Sequence, residues 1–258
     1  MPVFYPLFGI GCLWLLLLLA LSAARREARG QQIRRLRAEA SRISAAWLRL
    51  GARLGLLQHD VRSSAEPLAP GTIVIANHPS LVDVVFVLAE LPQLCCVLKS
   101  DLRRVPVLGR LVRALNYLSN EDPERLLAEG EARLRAGESL LIFPEGTRTK
   151  GAPALSFKLA AIELALRTGA TVQPVVIHYH GRYLSGLGRW YEMPVKRLHY
   201  RVEVITPVSP PLAPTAADRR RLRPRFKAAL ERGFEQRLNR FYPDQARFTR
   251  REPSSQPL

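Results

Sequence analysis

Thr72–Leu91, TIVIANHPSLVDVVFVLAEL, passes from an apolar strand-like run through His78-Pro79-Ser80-Leu81-Val82-Asp83 into a second apolar run. Pro79 disfavours the α conformation at the residue before it, which leaves His78 in extended chain at a strand end. Ser80 then suits the N-cap of the next helix, and Ser80-x-x-Asp83 has the pattern of a capping box. That reading accounts for the aspartate and leaves the histidine without a role. The alternative makes His78 a base whose second ring nitrogen is held by Asp83. On these residues alone both readings stay open.

On either side of this stretch, strands and helices alternate. Strands are expected at 72–76, 94–99, 115–119, 139–143, 171–177 and 199–205, with helices at 83–91, 106–114, 123–136 and 156–168. The helix at 123–136 carries its own punctuation: Asp122 as N-cap, Pro123 in the first turn, Gly137 past the end. Such alternation, with short apolar strands like SLLIF, predicts an α/β fold: a largely parallel sheet flanked by helices. Pro174 in TVQPVVI is unusual for a central strand and points to an edge.

A second polar segment follows the most apolar strand. Ser139–Thr149, SLLIFPEGTRT, ends in Pro144-Glu145-Gly146-Thr147-Arg148. A turn stabilised by proline and glycine accounts for part of it. Adjacent acidic and basic groups at such a strand end also lie where open α/β sheets bind ligands. Lys99–Asp122, KSDLRRVPVLGRLVRALNYLSNED, adds a basic stretch containing Lys99, Arg110 and Arg113.

The chain has 258 residues and a formal net charge of +17, with 47% hydrophobic residues and a mean hydropathy of −0.04. These values fit a globular protein and exclude a disordered one. Arginines crowd residues 25–53, 103–113 and 219–251, so an anionic partner is expected: nucleic acid, acidic lipid or a phosphate-bearing substrate. No nucleic-acid-binding signature accompanies them, and a membrane surface accounts for them better. Cys12, Cys95 and Cys96 have no metal-ligand spacing and suit a reducing compartment. His178 and His180 share a strand face, as metal ligands can, but lack a third partner in the sequence.

Residues 3–24 carry no charge, and as a helix they would reach roughly 33 Å, enough for a hydrocarbon core. No basic residue precedes them as in a signal peptide, so an uncleaved anchor is expected. Arg25, Arg26, Arg29, Arg34, Arg35 and Arg37 follow directly, which puts the rest of the chain on the cytoplasmic side of the inner membrane. Next, Ile33, Leu36, Ala40, Ile43, Trp47, Leu50 and Leu54 mark one face of a second, amphipathic helix. It can pack on the domain or lie in the membrane interface. After a proline-rich connection at 206–216, Leu222, Phe226, Leu230, Phe234, Leu238 and Phe241 mark a C-terminal helix.

Taken in order, the HxxxxD pattern of His78 and Asp83, the basic stretch and the FPEGTR run from Phe143 to Arg148 resemble the glycerolipid acyltransferase family. Its best-known members acylate lysophosphatidic acid. The resemblance covers about residues 70–210 and implies catalysis by His78 and Asp83. It also implies substrate binding by Glu145, Gly146, Thr147 and Arg148. His78 would deprotonate an acceptor hydroxyl, which attacks an acyl thioester of CoA or acyl carrier protein directly, with backbone N–H groups near the PEGT turn as oxyanion donors. Neither cofactor nor metal is implied. One departure stands out: Asn120 occupies the place where phosphate-acceptor enzymes usually carry arginine, and Glu121 and Asp122 follow it. Lys99, Arg110 and Arg113 are the candidate substitutes. The expected organisation is a membrane anchor at 1–26, an amphipathic helical segment at 27–69, an acyltransferase domain at 70–245 and a disordered tail at 246–258. A non-catalytic lipid-binding member of the fold and a thioesterase using the same pair on water are the competing functions.

Overall fold

A computed structural model describes residues 4–24, 28–63, 67–80, 82–146, 155–180 and 198–241. Its centre is a seven-stranded sheet of β1 (Leu57–Ser63), β2 (Ile73–Ala76), β3 (Cys95–Leu98), β4 (Leu118–Ser119), β5 (Leu140–Ile142), β6 (Val172–His180) and β7 (Leu198–Val204). The spatial order is β1-β7-β6-β2-β5-β3-β4. From β6 to β4 neighbouring strands run parallel, while β7 meets β6 antiparallel. The β2 sequence IVIA and the β5 sequence LLI are buried throughout, because helices cover both faces of a parallel sheet.

The helices are α1 (Phe4–Ala24), α2 (Arg29–Arg53), α3 (Asp83–Glu90), α4 (Pro106–Ala114), α5 (Pro123–Arg135), α6 (Ala160–Thr168) and α7 (Ala216–Phe241). As expected, Asp122 caps α5, its side chain accepting from the N–H groups of Glu124 and Arg125. Along α7, Phe226, Leu230, Phe234 and Leu238 are buried, so the C-terminal helix closes the core.

Three expectations need correction. The apolar run 115–119 is not a five-residue strand: Leu115 and Asn116 end α4, where Tyr117 N–H bonds Val112 O, and β4 keeps two residues. Residues 57–63, within the segment expected to be helical, form β1. Its alternating charges suit an edge strand, paired along its whole length with β7. Pro174 lies in an interior strand, since β6 runs between β2 and β7. Its carbonyl accepts from Ile205 N–H on the β7 side, so that side is also where its own N–H is missing. The Gln173 side-chain amide donates to Ile205 O there and supplies the absent bond.

α1 packs against α2 and α4, burying Leu15, Leu18 and Ser22, while Ile10, Leu13, Trp14, Leu17 and Leu21 are exposed. Among the described residues, no helix is long and apolar enough to cross a membrane, so the expected spanning helix gains no support. Arg25 and Arg26, two of the six arginines behind the expected orientation, lie outside the described residues, as do 242–258. α2 packs on α3, with Leu36 and Ala40 buried, Ile43 and Trp47 half-buried, and Leu50 and Leu54 exposed. Arg37 is only 4% exposed. It donates to Leu115 O and pairs with Glu138 at 2.8 Å, fastening α2 to the sheet layer.

Gly109 of α4 sits against the preceding 3-10 turn, Ser100–Arg103, where an added methyl would overlap the carbonyl oxygen of Arg103. Gly109→Ala should therefore destabilise the fold by about 3 kcal/mol, from overpacking against backbone that cannot rotate away. Urea unfolding measures this. A loss below about 0.5 kcal/mol, the range of neutral surface changes, would refute the close approach.

Candidate active site

The strands from β6 to β4 present their carboxyl ends at one sheet edge, and the polar segments follow those ends. Asn77, directly after β2, is buried and makes a ladder rung with its side chain. Its Nδ2 donates to Ile177 O at 2.9 Å, and its Oδ1 accepts from Ile177 N–H at 2.7 Å. This extends the pairing of β2 with β6 by one position and fixes where His78 leaves the sheet.

His78 and Asp83 are brought together. Nδ1 of His78 lies 2.8 Å from Oδ2 of Asp83, with the imidazole 22% exposed and the carboxylate fully buried. Against an ionised carboxylate Nδ1 carries the proton, which leaves Nε2 as the basic nitrogen. Ser80 is not the helix N-cap, because α3 begins at Asp83 and Val82 precedes it without a side-chain cap. Asp83 nevertheless accepts from Ser80 N–H at 2.7 Å and from Ser80 Oγ at 2.6 Å. Asp83 thus serves the local loop and the imidazole at once, which resolves the choice between capping and orientation. Burial raises its carboxyl above the ordinary aspartate range, while the bonds from His78 and Ser80 pull it down.

The two polar segments meet directly. Glu145 Oε1 accepts from His78 N–H at 2.9 Å, and the Phe143 ring lies 4.5 Å from the imidazole. Strands β2 and β5 are neighbours, so segments 67 residues apart in the chain adjoin in space. Gly146 adopts a φ of +68°, a conformation that favours glycine, and its N–H bonds Phe143 O. That bond takes the Gly146 N–H out of the expected set of oxyanion donors. Thr147 and Arg148 lie outside the described residues.

The remaining predicted binding residues do not touch the pair. Lys99 follows β3 at the same sheet edge and is exposed. Arg110 and Arg113 are exposed on α4, and Arg113 Nη1 donates to Arg103 O at 3.2 Å. Asn120, exposed after β4, donates its N–H to Leu98 O. His178 is buried with Nε2 3.7 Å from Glu203, and the described residues hold no cluster of three or more metal-ligating side chains. Burial keeps its imidazole below the ordinary range. Asn77 escaped the sequence reading, as did Lys158. The Lys158 N–H bonds Pro144 O at 2.6 Å, and its side chain crosses Gly146. Chain spacing could not reveal either, because their partners belong to distant segments.

A histidine–carboxylate pair at the carboxyl edge of an open α/β sheet has the chemistry to accept a proton from a bound hydroxyl. Among the described residues, the imidazole's side-chain partner is Asp83, and Ser80 Oγ donates to that carboxylate. Residues 59–178 match the family model described as Acyltransferase. A lyso-ornithine lipid O-acyltransferase of Pseudomonas aeruginosa is 35% identical over 143 residues, covering 54% of each chain. A 1-acyl-sn-glycerol-3-phosphate acyltransferase of Borreliella burgdorferi is 29% identical over 118 residues, 43% of this chain and 47% of that one. The matched region thus spans about half the length of these relatives. The crystal structure of the 1-acyl-sn-glycerophosphate acyltransferase PlsC from Thermotoga maritima superposes with a TM-score of 0.59 at 25% identity, covering 90% of this chain and 93% of that one. The chain is thus similar, over its central half, to acyltransferases that act on lysolipids.

Proposed function

We propose that the protein transfers a fatty-acyl group from a thioester of CoA or acyl carrier protein to a hydroxyl of a lysolipid whose headgroup is an amino acid. The observation that carries the acyl-transfer reading is the His78–Asp83 pair, 2.8 Å apart and tied through His78 N–H to Glu145. Nε2 of His78 takes the hydroxyl proton as the oxygen attacks the thioester carbon, and Asp83 stabilises the imidazolium. Collapse of the tetrahedral intermediate breaks the C–S bond, and the departing sulfur takes the proton from Nε2. No step in this sequence calls for a metal. Arg148 and Lys158 are the cations we assign to anionic groups of the substrates.

Two observations support an amino-acid headgroup over a phosphate monoester. Asn120 offers no positive charge to a phosphate, and Glu121 and Asp122 beside it repel one. The Pseudomonas relative named above, and a second from Rhodobacter capsulatus at 32% identity, are lyso-ornithine lipid O-acyltransferases. We place the protein at the cytoplasmic face of the inner membrane. There the exposed apolar side of α1 enters the lipid and the basic chain faces anionic headgroups.

The test offers labelled acyl-CoA and acyl carrier protein thioesters with lyso-ornithine lipid or lysophosphatidic acid, the products being read by lipid mass spectrometry. Acylation of the ornithine acceptor should dominate. Asn120→Arg should raise lysophosphatidic acid acylation about 10- to 100-fold, the worth of one charge-assisted hydrogen bond. A wild-type preference for lysophosphatidic acid that disappears in Arg110→Ala or Arg113→Ala would overturn the headgroup assignment. Thioester hydrolysis at equal rate with and without acceptor would make the protein a thioesterase.

A further inference from the structure

Both oxygens of the Asp83 carboxylate are occupied. Oδ2 accepts from His78 Nδ1 and Ser80 N–H, and Oδ1 accepts from the Ser80 hydroxyl at 2.6 Å. The Ser80 hydroxyl has one proton, so its bond to Asp83 depends on what else surrounds the oxygen. Val82 N–H donates to it at 3.2 Å, and the Tyr200 hydroxyl donates to it at 2.9 Å. An anionic carboxylate is the strongest acceptor in reach, so Ser80 commits its proton there and Tyr200 has to be the donor between the two hydroxyls. We infer that Tyr200 is a positioning residue for the His78–Asp83 pair, acting through Ser80. The inference rests on the reading of His78 as the base in acyl transfer.

Tyr200 stands on β7, 120 residues from Ser80 in the chain, and is itself held firmly. Its ring stacks between Phe86 of α3 at 4.1 Å and Tyr179 of β6 at 4.4 Å. The Tyr179 hydroxyl also interacts with that of Tyr200. Burial, then the Asp83 charge, hold the Tyr200 phenol well above its ordinary range, so it stays a protonated donor at working pH. The titratable groups facing the pair are Tyr179 and Tyr200 from β6 and β7, with Glu145 on the His78 N–H from the turn after β5.

Tyr200→Phe keeps the ring stack and deletes only the donor. The Ser80 hydroxyl is then free to turn, and Asp83 loses directed support for its negative charge. The turnover number should fall about 3- to 10-fold with KM unchanged. A less stabilised carboxylate holds its proton more tightly, so the acid limb of kcat/KM should move to higher pH. In the Ser80→Ala protein, Tyr200→Phe should change turnover less than about twofold, because the link it acts through is gone. A nitrogen-15 NMR titration of the His78 imidazole, without substrate, should show the same upward shift in Tyr200→Phe. An unshifted titration, or a Tyr200→Phe effect as large in Ser80→Ala as in wild type, would overturn the relay and leave the phenol a packing group. If the wild type acylates no acceptor, the functional reading falls, and the NMR titration still decides the relay.

Discussion

His78→Ala should lower acyl transfer by about 10²–10⁴, the usual cost of losing a general base, and leave the fold standing. The two outcomes separate because the ring sits at the sheet edge with 22% of its side chain exposed. Its removal costs the contact with the Phe143 ring, whose centroid lies 4.5 Å from that of the imidazole. The tie to Glu145 uses backbone N–H, which alanine keeps. Circular dichroism and thermal melting should match wild type while the acylation rate collapses. A folded His78→Ala protein within about tenfold of wild-type turnover ends the assignment of His78 as base.

Asp83→Asn is expected to lose a similar factor in rate, with an opposite signature in stability. An asparagine oxygen can still accept from His78 Nδ1, but a neutral amide does not stabilise the imidazolium that forms during transfer. Stability follows from the raised carboxyl of Asp83. A group whose folded pKa is raised contributes stability that is complete below its unfolded pKa and lost as pH rises through the folded value. Above its folded value the buried ionised carboxylate has lost that contribution, whereas an amide does not titrate. The Tm of Asp83→Asn at pH 7.5 should therefore equal or exceed that of wild type, and the difference should shrink on acidification to about pH 4.5. A Tm several degrees below wild type at pH 7.5 would show that the hydrogen bonds to Asp83 outweigh its desolvation.

What the sequence disclosed depended on chain distance. The His78–Asp83 pair and the Asp122 cap were legible because each joins residues at most five apart. The site's longer connections were not. Asn77 answers to Ile177, Glu145 to His78 and Tyr200 to Ser80, each through strand order that no local pattern encodes. The misreadings share that cause. β1 is polar and becomes a strand only by lying along β7. Pro174 pointed to an edge because its missing N–H was visible, while the Gln173 side chain that replaces it was not. The partners of Arg37, Glu138 and Leu115 O, likewise come from segments far along the chain.

The rung made by the Asn77 side chain has a wider meaning. With Glu145 holding the next backbone N–H, His78 is referenced to β6 on one flank and to β5 on the other, both interior strands. Its position is surveyed from two fixed marks and owes little to the loops that line the rest of the edge. Those loops can change length and charge without moving His78. Chemistry and acceptor choice can therefore drift independently. That independence gives a physical reason why one family holds enzymes named for phosphate-headed and for ornithine-headed lysolipids.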